Sequence, residues 1–258
     1  MLLAADVGNT QTQLGLFRRE ELAATWRIST QPRRTADELA AAFRELFSLQ
    51  GMSLLHDVSG VVVSSVVPSV TTALREMVSR YFRFEPLLLG PGMRTGMPVL
   101  TENPREVGAD RIANAVGAYH LVGDAAIVID FGTATTFDAV SVRGEYLGGA
   151  IAPGIEISAN ALSVSAAQIQ KVEFIAPRSV IGRTTVESLR SGILLGSAAL
   201  VDGMVERFQK ELGGGAAVLA TGGLAPLVLP ECAAPIRPEP TLTLLGLRLI
   251  YERNEGTP

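Results

Sequence analysis

The sequence predicts an α/β protein made of two domains with the same fold, and three observations predict it. A short apolar run that ends in Asp-x-Gly and continues with small hydroxyl or amide residues occurs twice, at residues 2–12 and 126–136. The aspartates of the two copies, Asp6 and Asp130, are separated by 124 positions (130 minus 6), close to half of the 258 residues. Each half also follows the order β-β-β-α-β-α, which is typical of an α/β layer arrangement.

Apolar runs in the first half predict strands, and two local signals predict the helices. Thr35 and Glu38 have the spacing of a capping box that opens a helix. Pro68 follows a continuous valine-rich run, typical of a buried strand, and starts a second helix that extends to Tyr81. The predicted strands are residues 2–5, 13–17, 22–28, 60–67 and 86–89.

The second half repeats this order of elements. A helix is predicted from Pro153 to about Gln168, and a second capping box at Thr184 and Glu187 opens the longest helical pattern, which continues to Leu212. The predicted strands are residues 126–130, 136–142, 146–151 and 216–220, and a last helix covers residues 241–252.

The boundary between the halves falls within a predicted helix from Pro104 to about Leu121. We place it so that residues 1–115 form the first domain and residues 116–258 the second. No linker rich in Pro, Gly or Ser marks the boundary, so shared helices are expected to couple the domains. The cleft between two such domains is the expected ligand site.

The composition is that of an acidic globular protein. With 47% apolar and 19% charged residues, the chain can form full apolar cores. The net charge is −4 and the pI is about 5.4, and basic residues form no long block. Nucleic acid is therefore disfavoured as a principal partner.

The cysteine and histidine content and the hydropathy pattern argue against a disulfide-bonded, zinc-binding or membrane-spanning protein. Cys232 is the single cysteine, so no intrachain disulfide can form, and a reducing compartment fits. His56 and His120 have no cysteine nearby, which argues against a zinc site. No uninterrupted apolar run approaches about 18–20 residues, and Asp6 interrupts the first apolar stretch, unlike a signal peptide. We expect a cytoplasmic protein without membrane or nucleic-acid partners.

The repeated turns have the chemistry of a phosphate site. A strand that ends in Asp and turns through Gly can place a carboxylate beside a metal ion and offer backbone N–H groups to a phosphate. Asn9, Thr10 and Thr12 add side-chain donors in the first copy, and Thr133 adds one in the second. A single copy would fit an ordinary hairpin turn equally well. Two copies predict a duplicated nucleotide-binding fold.

Residues 108–111, Gly-Ala-Asp-Arg, place a carboxylate beside a guanidinium at the start of a helix. Asp110 has the chemistry of a base that positions a hydroxyl nucleophile, and Arg111 can bind a substrate carboxylate bidentately. An acidic residue favoured by the helix dipole, followed by a surface charge, would give the same four residues. Both interpretations stay open from these residues alone. The glycines at 148–154 and 222–223 permit a close backbone approach, or form tight corners.

Taken in order over nearly all of the chain, these motifs resemble the type III pantothenate kinases of the acetate and sugar kinase, Hsp70 and actin superfamily. D-x-G-x-T is shared across the superfamily, whereas the ordered set with G-A-D-R is specific to the family. The resemblance implies two duplicated ribonuclease H-like (actin-like ATPase) domains with the nucleotide in the cleft between them. The motifs are residues 6–10, 108–111, 130–136, 148–154 and 221–223.

The resemblance also implies ATP-dependent phosphorylation of the pantothenate 4′-hydroxyl, the first step of coenzyme A synthesis. Asp110 would accept the proton, Asp6 would stand near Mg²⁺ through water, and Asp130 would bind K⁺ or NH₄⁺. The family is dimeric, which implies a homodimer in which Thr185 reaches pantothenate at the subunit interface. The implied ATP-binding residues are Asp6, Val7, Gly8, Asn9, Thr10, Gln11, Thr12, Gln13 and Thr133. The implied pantothenate-binding residues are Gly108, Ala109, Asp110, Arg111 and Thr185.

The chain departs from the family pattern at three places. The family usually reads G-K-N-T where this chain has G-R-T-T at 182–185, so Thr184 replaces an amide side chain. Gln13 stands where the family often has Lys, which removes one cation near the phosphates. Residues 166–171 read A-A-Q-I-Q-K in place of the usual A-A-K-L-P-R.

Two other functions are possible from the sequence. Another small-molecule kinase of the superfamily would explain Asp6 and Asp130, but would not need residues 108–111 followed by Thr185. If the chain were a Bvg accessory factor-like regulatory protein, we would expect the active-site residues of the cleft to be replaced or a basic surface to be present. The cleft residues are present and the net charge is negative, which favours the kinase.

Overall fold

A computed structural model describes residues 1–165 and 173–255 of the chain. The chain divides into two compact units, each with its own five-stranded sheet and its own apolar core. The first unit contains residues 1–97, 102–117 and 242–255. The second contains residues 98–101 and the described part of 118–241.

The helices and strands have the following bounds. The strands are β1 (Leu2–Val7), β2 (Gln11–Arg18), β3 (Glu21–Ser29), β4 (Gly60–Ser65), β5 (Leu87–Leu88), β6 (Ala126–Phe131), β7 (Ala134–Val140), β8 (Tyr146–Pro153), β9 (Ala217–Thr221) and β10 (Arg237–Pro238). The helices are α1 (Ala36–Ser48), α2 (Leu54–Asp57), α3 (Pro68–Phe82), α4 (Ala109–Val122), α5 (Ile155–Ser165), α6 (Thr185–Glu211), α7 (Ala225–Val228) and α8 (Leu242–Asn254).

The two sheets have the same topology. The first has the strand order β3-β2-β1-β4-β5, and the second reads β8-β7-β6-β9-β10 in the same direction. In each sheet the first three strands form an antiparallel meander, and the other two run parallel to the central strand. The predicted α/β fold with two duplicated domains is therefore confirmed. The two-residue strands β5 and β10 complete the match.

The first core lies between one face of the first sheet and helices α1 and α3. Leu3, Ala5 and Val7 of β1 point into it, together with Phe43 and other apolar residues of the helices. Successive residues of a strand point to opposite faces of the sheet. Asp6 therefore points away from this core, to the other face of the sheet.

The second core is built in the same way against α6. Ile127, Ile129 and Phe131 of β6 pack with Leu194 and other apolar residues on one side of the helix. By the same alternation, Asp130 points to the opposite face of the second sheet. Both aspartates are thus kept out of the apolar cores by strand geometry alone.

One predicted capping box forms completely and the other in part. The Thr35 hydroxyl accepts from the Glu38 backbone N at 3.3 Å, and the Glu38 carboxylate accepts from the Thr35 backbone N at 2.8 Å. Thr184 likewise accepts from the Glu187 backbone N at 3.2 Å, but the Glu187 carboxylate accepts from the backbone N of Arg183, at 3.0 Å. The predicted helix starts are correct in both cases.

The helix predicted from Pro104 starts later than expected. Residues Pro104–Glu106 form a short 3₁₀ turn, in which the Asn103 side chain accepts from the Arg105 backbone N at 3.3 Å. Val107 then adopts an extended backbone (φ −72°, ψ 126°), so the regular helix α4 begins only at Ala109. Gly108 and Asp110 consequently lie at a loop-to-helix junction.

The last helix, α8, belongs with the first unit, whereas the sequence prediction places it in a second domain of residues 116–258. Gly246 permits this contact, because a Cβ there would lie only 2.5 Å from the carbonyl carbon of Ala113 in α4. The Thr243 hydroxyl also donates to the buried Asn114 amide oxygen at 2.7 Å. The division after residue 117 lies close to the predicted boundary at 115 and 116.

Helix α6 is long and apolar enough to span a membrane by length and composition, with a mean hydropathy of 1.2 over an 18-residue window. Core helices of water-soluble proteins pass the same test, so one such helix is weak evidence. Leu194, Ala198 and Val201 place one side of α6 in the second core. Among the described residues no other helix meets these criteria.

Candidate active site

Asp6 lies near the carboxyl end of β1, the central strand of the first sheet. It is paired with Gln13 of β2 on one side and with Ser64 of β4 on the other. Side chains of paired residues on neighbouring strands point to the same face of the sheet. The Asp6 carboxylate therefore has an amide and a hydroxyl as its neighbours.

Asp130 occupies the equivalent position in β6, the central strand of the second sheet. Its paired neighbours are Thr136 of β7 and Thr221 of β9. Both neighbours carry hydroxyls, so the second carboxylate also lies in a row of oxygen-bearing side chains. Such a row fits a cation that prefers oxygen ligands.

The turn after Asp6 is held from beneath by Thr30, which follows β3. The Thr30 hydroxyl donates to the Gly8 carbonyl at 2.7 Å and lies 2.9 Å from the Thr12 hydroxyl. The Thr30 backbone N donates to the Thr10 carbonyl at 2.9 Å, and Gly8 N donates to the Gln11 carbonyl at 3.0 Å. The carbonyl groups of Gly8, Thr10 and Gln11 all accept hydrogen bonds within the protein, which fixes the shape of the turn.

The predicted ATP-binding residues of this turn differ in exposure. Asn9, Thr10 and Gln11 are exposed, and Gln13 is half-buried beside Asp6. Thr12 is buried, with 3% of its surface accessible, and its hydroxyl faces Thr30. The structure therefore gives Thr12 a supporting position under the turn, and sequence reasoning missed its partner Thr30.

The turn after Asp130 is enclosed by two glycines from neighbouring strands. Its own closure is a bond from Gly132 N to the Ala134 carbonyl at 3.0 Å. A Cβ on Gly154, which follows β8, would lie 2.8 Å from the Gly132 carbonyl oxygen. A Cβ on Gly222, which follows β9, would lie 2.5 Å from the Phe131 backbone N, and its φ of +94° also favours glycine.

Gly132 and Thr133 are the exposed residues of this second turn, and Thr133 is the one with a side-chain donor. The glycine-rich motifs at 148–154 and 221–223 therefore have an observed role, because one glycine of each contacts the Asp130 turn. Glycines after strands could be recognised in the sequence. Which backbone they approach depends on strand order, which the sequence alone did not specify.

Asp110 lies in the first turn of α4, and Gly108 leaves room for its side chain. A Cβ on Gly108 would lie 2.5 Å from Asp110 Oδ1. That oxygen accepts from the Arg111 backbone N at 2.8 Å. The carboxylate is thus folded back over the start of the helix, where the N-terminal end of the helix dipole favours its negative charge.

Asp6 and Asp110 belong to the same unit and are linked through α8. Helix α8 packs on β1, and its Gly246 lies against Ala113, one turn along α4 from Asp110. The buried bond from Thr243 to Asn114 fixes the same pair of helices. The start of α4 is therefore set by packing on an element that also contacts the strand of Asp6.

Thr185 is the first residue of α6 and is exposed, directly after the helix cap Thr184. Thr184 replaces an amide in the family pattern, and its hydroxyl is occupied by the cap. The remaining departure, at residues 166–171, lies outside the described residues.

Two other kinds of site, a reactive cysteine and a cluster of metal-ligating residues, are not supported by the described residues. Burial raises the pKa of the Cys232 thiol to about 11, and the charges of Asp202 and Glu231 add to this, so the thiol stays protonated at neutral pH and is a poor nucleophile. Within residues 1–165 and 173–255, His, Cys, Asp and Glu form no group of three or more that could hold a metal ion. A magnesium ion that keeps several waters and binds phosphate needs only one or two carboxylates. The oxygen donors around Asp6 fit such an ion.

Comparison with known proteins assigns the chain to a family. A sequence profile described as type III pantothenate kinase matches residues 2–207. The type III pantothenate kinase of Streptomyces griseus is 56% identical over 261 residues, covering 98% of each chain. That of Moorella thermoacetica is 52% identical over 254 residues, covering 98% of this chain and all of the relative. That of Myxococcus xanthus is 52% identical over the full length of both chains.

Solved structures share the fold at low identity. A Campylobacter jejuni protein described as a Baf family transcriptional activator has a TM-score of 0.60 at 19% identity, with 98% of both chains covered. A ROK hexokinase from Thermus thermophilus has a TM-score of 0.52 at 16% identity, with 99% of both chains covered. These likenesses show the fold alone. The profile match and the full-length relatives show more: this chain belongs to the type III pantothenate kinase family.

Proposed function

We propose that this protein transfers the γ-phosphoryl group of ATP to the 4′-hydroxyl of pantothenate, the first step of coenzyme A synthesis. The observation that carries the proposal is the identity above 50% with type III pantothenate kinases over essentially the whole chain. Asp6, Asp110 and Asp130 all lie in positions compatible with it. Asp6 and Asp130 occupy equivalent strand ends, and Asp110 lies at a helix start.

ATP is assigned to the two turns. The first turn offers exposed donors at Asn9, Thr10 and Gln11, and the second offers Thr133. Thr30, Gly154 and Gly222 support these turns from behind, which gives each turn a defined shape before the nucleotide binds. Preorganised donors favour the charge of the phosphates without further ordering of the backbone.

Pantothenate is assigned to residues 108–111 and Thr185. Arg111 suits the carboxylate of the substrate, because a guanidinium binds carboxylates through two parallel hydrogen bonds. The oxygen of the 4′-hydroxyl attacks the γ-phosphorus and forms a new O–P bond, while the bond from the γ-phosphorus to the β,γ-bridging oxygen breaks and ADP leaves. Asp110 accepts the hydroxyl proton. Gly108 makes this possible by leaving room for the carboxylate.

Two cations complete the proposal. Kinases use ATP with a divalent metal, and we assign Mg²⁺ to Asp6 through water. A monovalent cation, K⁺ or NH₄⁺, is assigned to Asp130, whose paired neighbours Thr136 and Thr221 are oxygen donors. When bound, the cations reduce the negative charge of the phosphates. Asp6 and Asp130 would hold these cations close to the phosphates.

A homodimer is the proposed assembly, and an exposed apolar patch supports it. Val180 and Ile181 expose 73% and 80% of their surface, and they lie in the segment before α6, which begins at Thr185. Ile175 and Val186 extend the patch on both sides along the chain. Exposed apolar residues that are close along the chain are typical of protein contact surfaces. The patch lies beside Thr185, which fits a substrate contact at a subunit interface.

A cytoplasmic location completes the proposal. The acidic charge and the single cysteine fit a metabolic enzyme of a reducing compartment without nucleic-acid or membrane partners.

The function is tested with purified wild-type protein, Mg²⁺·ATP and one monovalent cation at a time. We expect ADP release to require pantothenate, to be sustained by K⁺ or NH₄⁺ and not by Na⁺, and to yield pantothenate heavier by one phosphate in a mass spectrum. Glucose and acetate serve as control acceptors. ADP release with a control acceptor but not with pantothenate would overturn the substrate assignment, and equal rates with all three cations would remove the role of Asp130.

A further inference from the structure

The Ser64 hydroxyl is a buried polar group that the described part of the chain leaves without a hydrogen bond. Ser64 is fully buried, and its Oγ has no hydrogen-bond partner among residues 1–165 and 173–255. It follows three consecutive valines of β4, so an apolar residue would continue the run. Burying a hydroxyl without a partner costs free energy that alanine or valine would not. A hydroxyl in such a position indicates a partner that arrives with a ligand.

Strand pairing places this hydroxyl beside Asp6. In the parallel pairing of β1 and β4, Asp6 is registered with Ser64. Neighbouring strands lie about 4.8 Å apart, and registered residues point to the same face. Ser64 is therefore the β4 residue paired with Asp6, with its side chain on the same face of the sheet. No rearrangement of the sheet is needed for both to contact one ligand.

The next residue, Ser65, shows the ordinary alternative. Its Oγ accepts from the Val67 backbone N at 3.2 Å and donates to the Val67 carbonyl at 3.3 Å. It points to the other face of the strand and supports the start of α3. Two adjacent serines of one strand thus have different environments, one satisfied by the backbone and one not.

The second sheet has a hydroxyl at the corresponding position. Thr221 of β9 is registered with Asp130 just as Ser64 is registered with Asp6, and 2% of its surface is accessible. Both halves of the duplicated fold therefore place a buried hydroxyl on the same side of the aspartate. This internal agreement argues that the position serves the aspartate and not local packing.

We propose that Ser64 is a positioning residue for the divalent cation, and that its hydroxyl bonds a water molecule of the hydrated ion that Asp6 holds. Metal-bound water lies about 2.1 Å from magnesium, and a hydrogen bond adds about 2.8 Å. An ion held through water by Asp6 is thus within reach of a hydroxyl on the adjacent strand. The proposal rests on the proposed function, because it requires a nucleotide-bound divalent ion beside Asp6.

The test measures metal binding rather than turnover. Mn²⁺ is titrated into the full-length protein saturated with ADP, and free Mn²⁺ is followed by electron paramagnetic resonance. We expect Ser64→Ala to weaken Mn²⁺ affinity about five- to tenfold, as the loss of one hydrogen bond would. Its midpoint of chemical denaturation should not fall, because the variant removes an unsatisfied buried hydroxyl. Ser64→Thr, which keeps the hydroxyl, should bind Mn²⁺ within about twofold of wild type.

Ser65→Ala is the matched control. It should retain wild-type Mn²⁺ affinity and lose stability, since it removes the support of α3. Wild-type Mn²⁺ affinity in Ser64→Ala would overturn the proposal for Ser64 and leave the kinase assignment intact. Absence of Mn²⁺ binding to the wild-type ADP complex would overturn both.

Discussion

At the scale of single residues, two glycines, which have no Cβ, determine the shape of the turn after Asp130. Gly154 and Gly222 come from different strand ends, and each approaches the backbone of the turn more closely than a Cβ would allow. The turn therefore has no space to relax backward. Its exposed side, with Thr133, is the side left for a ligand.

Gly222→Ala should lower stability and nucleotide affinity together. The new methyl group would meet the backbone of Phe131, and the φ of +94° would be strained for alanine. We expect a loss of about 2–4 kcal/mol in the free energy of unfolding, from overpacking and backbone strain combined. Gly90→Ala is the control, because apart from its chain neighbours no atom of the described residues lies within 4 Å of its added Cβ. Urea denaturation and ATP titration measure both effects, and equal stability of the two variants would contradict this account.

The residues of the two turns could be predicted from the sequence, but the contacts that support the turns could not. The Asp-x-Gly turns were recognisable, because carboxylate, glycine and hydroxyl residues have distinct chemistry. The support of the first turn by Thr30 was not, since it depends on the return of β3 beneath the turn. Thr12 has the residue type of a phosphate donor, but the fold buries it against Thr30.

At the scale of elements, local signals predicted most helices and strands. The capping residue Thr35 and the proline at the start of α3 act within one turn of their helix, so the sequence contains the whole interaction. The strand predicted at residues 86–89 is confirmed as β5, whereas the two-residue strand β10 and the packing of α8 on the first unit were not predicted. They depend on partners far along the chain. No local pattern encodes the contact between Gly246 and Ala113.

The segment before α6 carries the prediction on assembly. Ile181→Glu should convert a dimer into monomers of 27.2 kDa, because it places a charge within the apolar patch. The exposed side chain contributes little to the fold, so the monomer should remain folded. Val142→Glu is the control, since Val142 exposes 62% of its surface in a turn far along the chain from the patch. Sedimentation velocity distinguishes the cases, and a monomeric wild type or a dimeric Ile181→Glu would contradict the interface.

At the scale of the whole molecule, duplication gives two sheets of the same topology with different residues around the aspartate of the central strand. Both sheets present an aspartate at the end of the central strand, but Gln13 flanks the first and Thr136 the second. The sequence predicted the duplication because the repeated phrase is local and the spacing is near half the chain. It did not predict that the chain returns to the first unit with α8. That return joins the strand of Asp6 to the helix of Asp110.

The most direct test of the central claim is the pantothenate-dependent turnover of Asp110→Asn with Mg²⁺·ATP and K⁺. Asparagine keeps the size of the side chain and an oxygen that can accept from the Arg111 backbone N, so the start of α4 should be preserved. We expect kcat to fall about 10²- to 10⁴-fold, the usual contribution of a general base, with ATP affinity unchanged. Turnover within a few-fold of wild type would contradict the assignment of Asp110 as the proton acceptor.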